Sequence, residues 1–212
     1  LFFFFLSGQT HSEEIYKKYT VKVSGIKIGK LEWWVQIDDA KYFNKIKLNS
    51  GGLLSAIYRF EGEYLSEGVL ENKKLKPTNY RHLWKTNKAT KKMDLIFHNE
   101  KLLSLKQSPL EKEHLRVDVF NIKQSKDPLT SFLQIIMGEK KQLVVDGRRI
   151  YVMNAVFEKN TGRVDVEISN YSNLWADHKR SKFEKISFQR AVEGLLPVKI
   201  NIYFDQRVFK LE

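Results

Sequence analysis

Apolar and polar residues alternate with a period of two through most of this chain. Leu31, Trp33, Val35 and Ile37 point one way while Lys30, Glu32 and Gln36 point the other, with Trp34 an exception on the outer face. Leu54, Ala56, Tyr58, Phe60, Gly62 and Tyr64 make a second stripe, Met93, Leu95 and Phe97 a third, and Leu115, Val117 and Val119 a fourth. Val164, Val166 and Ile168 repeat the pattern against Asp165, Glu167 and Ser169; Val198, Ile200, Ile202 and Phe204 repeat it against Lys199, Asn201 and Tyr203. Each stripe reads as a half-buried antiparallel strand, one face on a core and one in water. Turn residues separate the runs at Asp38-Asp39, Asn49-Ser50-Gly51-Gly52, Asn99-Glu100, Asp146-Gly147, Asn160-Thr161-Gly162 and Asp205-Gln206. Asp146-Gly147 is the strongest hairpin signal, because both residues tolerate the positive φ of a type I′ turn. The spacing predicts on the order of ten or more strands in meander order.

One segment breaks this period. Leu129, Phe132, Leu133, Ile136 and Met137 follow the spacing of an amphipathic helix. Asp127 can cap its first turn, Pro128 suits the first helical position, and Gly138 suits the exit. A helix with one apolar stripe in an all-strand protein must cover something, and the open end or concave face of the curved sheet is the expected target. The stretch between Asn173 and Lys182 gives no clear pattern. The predicted fold is therefore all-β: a large curved antiparallel sheet, or an open or closed β-barrel, with one short covering helix near 127–137.

The first six residues, Leu1 to Leu6, are all large and apolar and include four adjacent Phe, followed by small polar residues. They do not alternate, so they read as the tail of a secretory signal peptide more readily than as a first strand. Residues 1–12 are then a signal remnant and 13–212 a single barrel-like domain. No Cys follows the run, which argues against a lipoprotein anchor. No apolar stretch approaches the roughly 20 residues of a membrane-crossing helix.

Charge changes the picture less than its size suggests. The 212 residues carry 37 Lys and Arg against 25 Asp and Glu, a net charge of +12. Only nine of the basic residues are Arg, whereas forked recognition of phosphate and bases favours Arg. The Lys residues are spread along the chain and alternate with apolar ones, as in Val21-Lys22-Val23. This reads as a solvated strand face, with no nucleic-acid partner expected.

Catalytic chemistry finds little support. The absence of Cys excludes disulfides, thiolate metal sites and a Cys nucleophile. Nucleophile-elbow and phosphate-loop motifs are missing. The five His show no metal-binding spacing and read as scattered surface or core residues, so no metal and no cofactor is expected. The carboxylate pairs Glu61/Glu63 and Asp165/Glu167 each share a strand face, but it is the face turned to water. No catalytic residue is assigned, and the protein is not expected to be an enzyme.

Aromatic residues leave two readings open. Trp33, Tyr58, Phe60, Tyr64, Trp84 and Phe97 lie on predicted strands, mostly on the apolar stripes. They form either a plain aromatic core or the wall of an apolar cavity, since a barrel of about ten strands is wider than side chains readily fill. Leu129, Phe132, Leu133 and Ile136 would face that interior from the helix. Arg148-Arg149 could meet an anionic headgroup or simply form a solvated hairpin end, the simpler reading.

Six segments in order carry a resemblance: YTVKVSGIKIGKLEWWV (Tyr19 to Val35), LLSAIYRFEGEYLSEG (Leu53 to Gly68), LKPTNYRHLW (Leu75 to Trp84), DPLTSFL (Asp127 to Leu133), VVDGRRIYVM (Val144 to Met153) and LPVKINIYF (Leu196 to Phe204). From about Ile15 onward the chain resembles the exported bacterial proteins grouped as domain-of-unknown-function family 3108. The resemblance implies a periplasmic or envelope protein of Gram-negative bacteria built as a curved sheet or barrel. The fold is also similar to lipoprotein carriers with a half-open barrel and helical cover, by analogy alone. The family brings no activity, so no functional residue is carried over. The expectation is a non-enzymatic envelope protein that holds or hands over an apolar or lipid-like ligand. The alternatives are a scaffold docking an envelope protein or glycan and, less favoured, a carbohydrate-active enzyme.

Overall fold

The computed structural model of the protein describes residues 13–51, 59–175 and 183–212. Seven strands come first: β1 (Glu13–Val23), β2 (Ile26–Ile37), β3 (Lys41–Ser50), β4 (Phe60–Glu71), β5 (Lys74–Thr86), β6 (Thr90–His98) and β7 (Lys101–Ser108). A two-residue strand β8 (Ser125–Lys126) leads into helix α1 (Pro128–Ile136). Six more strands follow: β9 (Lys141–Val145), β10 (Arg149–Phe157), β11 (Arg163–Asn173), β12 (Phe183–Gln189), β13 (Lys199–Phe204) and β14 (Arg207–Leu211).

All fourteen form one sheet in the order β7-β6-β5-β4-β3-β2-β1-β14-β13-β12-β11-β10-β9-β8. Two meanders are thus sewn together where β1 meets β14, with Val21 opposite Leu211 and Val23 opposite Phe209. The far edges approach each other as well, since the Ser125 amide donates to the Glu100 carbonyl at 2.9 Å and Lys126 pairs with Glu100 at 3.1 Å. The result is a nearly closed barrel. Its pairings are antiparallel except for β8 with β9. Register shifts at Val21/Lys22, Glu67/Gly68, Ile96/Phe97, Ile150/Val152 and Phe183/Lys185 supply the local bends that curvature needs.

The hairpins explain the strand phase. Asn72-Lys73, Asn99-Glu100 and Asp205-Gln206 hold positive φ at both positions, as two-residue type I′ loops require. Asp146-Gly147 departs from the expectation. Only Gly147 has positive φ there, while the Asp146 carboxylate instead accepts the Arg148 and Arg149 amides at 2.8 and 2.6 Å. The stripe at Leu115, Val117 and Val119 is a second correction. Leu115 makes an isolated bridge to Trp175, and Val119 opens a short 3-10 turn in which the Asp118 carboxylate accepts the Phe120 amide. Three alternating residues were too few to outweigh that local cap. The segment 1–12, the residues Leu54 to Tyr58 and most of 173–182 lie outside the described residues.

Helix α1 starts and stops as its sequence predicts. The Asp127 carboxylate caps the Leu129 and Thr130 amides at 2.9 Å each, and Gly138 exits at φ +114°. Its burial reaches further than one apolar stripe implies. Thr130, Ser131 and Gln134 are buried along with Leu129, Leu133, Ile135 and Ile136, so α1 is a plug inside the barrel. Burial of polar side chains is tolerated because most find partners. Thr130 and Ser66 both donate to Asp127, the latter at 2.9 Å, and the Tyr42 hydroxyl meets Thr130 Oγ1 at 2.6 Å. The Gln134 side-chain oxygen accepts the Leu75 amide at 2.9 Å and the Lys126 ammonium at 3.1 Å. Burial raises the Asp127 pKa above the usual carboxylate value, and its hydrogen bonds oppose the rise.

Asp127→Ala removes a helix cap worth about 0.5–2 kcal/mol and leaves the buried Ser66 and Thr130 hydroxyls short of a partner. Its denaturant midpoint should therefore fall well below that of Asp38→Ala, which loses an exposed turn cap on the Ala40 and Lys41 amides. Equal midpoints in urea melts would show that this buried knot does not hold the helix.

Candidate functional site

Inward side chains of the two meanders do not fill the barrel. A cavity of about 410 Å³ remains between them, bounded on one side by Pro128, Leu129 and Phe132 of α1. That volume falls within the roughly 300–1,000 Å³ typical of small-molecule pockets. Most of the wall is apolar: Leu31 and Trp33 from β2, Ile46 and Leu48 from β3, Ile200 and Ile202 from β13.

Trp33 links this wall to the plug. Its indole N–H donates to the Asn44 side-chain oxygen at 2.7 Å, and the Asn44 amide donates to the Leu129 carbonyl at 3.1 Å. Its ring stacks on Phe132 at 5.9 Å, and Phe132 meets Phe188 of β12 edge-on at 5.5 Å. One aromatic run therefore bridges β2, the helix and the opposite wall.

One end of the cavity is polar. The β9–β10 hairpin folds inward, and a side chain at Gly147 would meet the Met93 sulfur at 2.5 Å. Trp175 donates to the Gly147 carbonyl at 3.0 Å and the Leu174 amide to the Arg148 carbonyl at 2.8 Å, so the hairpin tip is fixed. It presents Asp146, Arg148 and Arg149 to the cavity, opposite His82 and Tyr64. Arg149 lies 4.0 Å from the Asp146 carboxylate and 5.7 Å from the Tyr171 ring centre, with its buried Nε lacking a hydrogen-bond partner. His82 stacks on Tyr64, its cross-strand neighbour, at 4.3 Å, and its Nε2 is likewise buried without a partner.

This setting shifts the titrating groups. Burial, helped by the positive charge of Arg148, pushes the His82 pKa down to about 4, so the ring is neutral near pH 7. Burial raises the Asp146 pKa, while Arg149, the two turn amides and Arg148 counteract it. The Tyr64, Tyr80 and Tyr151 phenols are also raised by burial, so they remain protonated.

The structure separates the aromatic residues singled out from the sequence. Trp33 and Tyr64 line the cavity, whereas Phe60 and Trp84 do not. Those two stack on each other at 5.4 Å, and Trp84 covers Gly62, its cross-strand partner, so the missing side chain of Gly62 absorbs them. Phe97 is buried in a second cluster with Leu102, Val119 and Trp175. Tyr58 lies outside the described residues. From the helix, Leu129 and Phe132 face the cavity, while Leu133 and Ile136 belong to the main core. Arg148-Arg149 is not the freely solvated hairpin end that was the simpler reading. His82, one of the five histidines read as scattered surface or core residues, lines the cavity, and it shares its strand phase with Trp84 and Tyr80. The carboxylate pairs stay outside the barrel: Glu63 pairs with Lys45 at 3.2 Å, and Asp165 with Lys185 at 3.1 Å.

Among known proteins, a family model described as "Protein of unknown function (DUF3108)" matches residues 18–137, from β1 through α1. A search of curated proteins finds no significant match. The fold is similar to a crystal structure of a beta-barrel-like protein of domain of unknown function DUF1849 from Brucella abortus. That likeness has a TM-score of 0.52 at 10% identity and covers 93% of this chain and 94% of the other. Among the described residues no helix is long and apolar enough to cross a membrane.

In an NMR pH titration the His82 ring should change protonation near 4, against about 6.5 for an unburied imidazole. Arg148→Ala should move that midpoint upward. The folded ring is harder to protonate than the unfolded one, so its contribution to stability is full above about 6.5 and is lost as pH falls toward 4. His82→Gln should accordingly flatten that part of the melting-temperature profile. A His82 midpoint at 6 or above would contradict the buried setting described here.

Proposed function

Since the chain belongs to the DUF3108 family, which fixes no activity, we propose that it is a non-enzymatic binding protein whose barrel holds the apolar part of a lipid-like ligand. The observation that carries this reading is the largely apolar cavity of about 410 Å³ left between two well-packed clusters. Interiors are normally close-packed, and a void of this size forgoes contact energy that a bound chain would restore. The plug favours the same reading, because its buried hydrogen bonds keep the helix from collapsing into the space. The proposal extends to location: the Phe-rich run at 1–6 supports export, and with it work on ligands of the bacterial envelope.

Delipidated protein titrated with a fluorescent polyene fatty acid should show saturable binding with an emission rise. Ile202→Trp, which puts bulk into the cavity, should weaken that binding at least roughly tenfold, or about 1.4 kcal/mol. Failure of the wild-type protein to saturate, or unchanged affinity in the filled variant, would remove the proposal.

A further inference from the structure

Among the described residues, the polar end of the cavity sets two guanidinium groups against one carboxylate. Arg148 and Arg149 face one carboxylate, Asp146, and among the described residues no acidic side chain lies within ion-pair distance of Arg148. The other groups there, His82 and the Tyr64, Tyr80 and Tyr151 phenols, are neutral near pH 7. The Arg149 Nε and the His82 Nε2 are buried without hydrogen-bond partners, and both residues line the cavity. An unbalanced guanidinium beside an apolar chamber is unfavourable unless a ligand completes it.

From this arrangement we infer that the ligand is a single-chain amphipath whose singly charged anionic head, a carboxylate or a phosphodiester, pairs with Arg148 and Arg149 while its chain runs along Trp33 and Phe132. The inference rests on the cavity being the ligand site and adds the chemistry of the head and the number of chains. Among the described residues two guanidinium groups stand against the single carboxylate of Asp146, an imbalance that one further anionic group offsets. Arg supplies forked donors suited to either oxyanion, and the orphan Arg149 Nε and His82 Nε2 offer further hydrogen-bonding positions. A volume of about 410 Å³ lies near the lower end of the pocket range of roughly 300–1,000 Å³, which suits one chain in preference to two or three. The fixed hairpin means the head meets a site organised before it arrives.

The test compares hexadecanoate, hexadecan-1-ol and hexadecylamine on delipidated wild-type protein at low ionic strength, in displacement of an uncharged fluorescent probe. Hexadecanoate should bind roughly tenfold or more tighter than the alcohol, as a charge-assisted contact would give, and the amine weakest. Arg148→Ala, at a half-buried position whose side chain makes no hydrogen bond or ion pair with a described residue, should erase the preference for the acid over the alcohol. The wild-type ranking needs no variant and stands if Arg148→Ala fails to fold. Lysophosphatidylglycerol in place of hexadecanoate distinguishes the two head chemistries, and binding of either tighter than the alcohol supports the inference. Equal wild-type affinity for acid and alcohol would overturn the charged head and leave the binding function standing. Displacement by inorganic phosphate at the concentrations where hexadecanoate acts would overturn the amphipath in favour of a free anion. Binding of none of the chains would remove both.

Discussion

The buried carboxylate of Asp127 is the constraint on which the interior depends. It accepts two amides of α1 and the hydroxyls of Thr130 and Ser66, and Tyr42 completes the cluster from β3. Such a group is costly to bury alone and tolerable only when its acceptors are filled. The helix is therefore held in one position and one rotation, with Leu129 and Phe132 toward the cavity and Leu133 and Ile136 toward the core. Apolar packing alone would not fix that rotation, because the buried surface of α1 extends almost all the way round.

Two consequences follow for the barrel. The plug contributes residues to both buried clusters, and the cavity is the space between them that neither fills. The inward-folded β9–β10 hairpin then closes one end with charge instead of carbon. An apolar wall and a basic end arise from different parts of the chain, the first largely from β2, β3 and β13, the second from one turn. The family match runs from residue 18, inside β1, to residue 137, before that turn, so it covers the plug and most of the first eight strands but not the two arginines.

Much of this was legible in the sequence where a local rule governs. The alternation in β2, β6, β11 and β13 gave the inward face, and Asp127-Pro128 with Gly138 gave the helix ends. Legibility failed where the outcome depends on distant contacts. Whether Arg148 and Arg149 meet water or a cavity is decided by the packing of Gly147 against Met93, 54 positions earlier, which no nearby residue announces. Phe60 and Trp84 had the right phase, yet the empty side of Gly62 claimed them. The single apolar stripe of the helix understates its burial, because Thr130, Ser131 and Gln134 look like surface residues until their surroundings are known.

The seam between β1 and β14 brings together residues as far apart as Lys22 and Glu212, 190 positions along the chain. While the polypeptide is being made, this edge of β1 lacks its partner until β14 emerges from the ribosome. Such non-local pairing is slow, and an exposed strand edge invites association with other chains. Ring closure accordingly waits for β14, and a nascent chain of this design has to be kept apart from its neighbours for as long as the edge of β1 stands open.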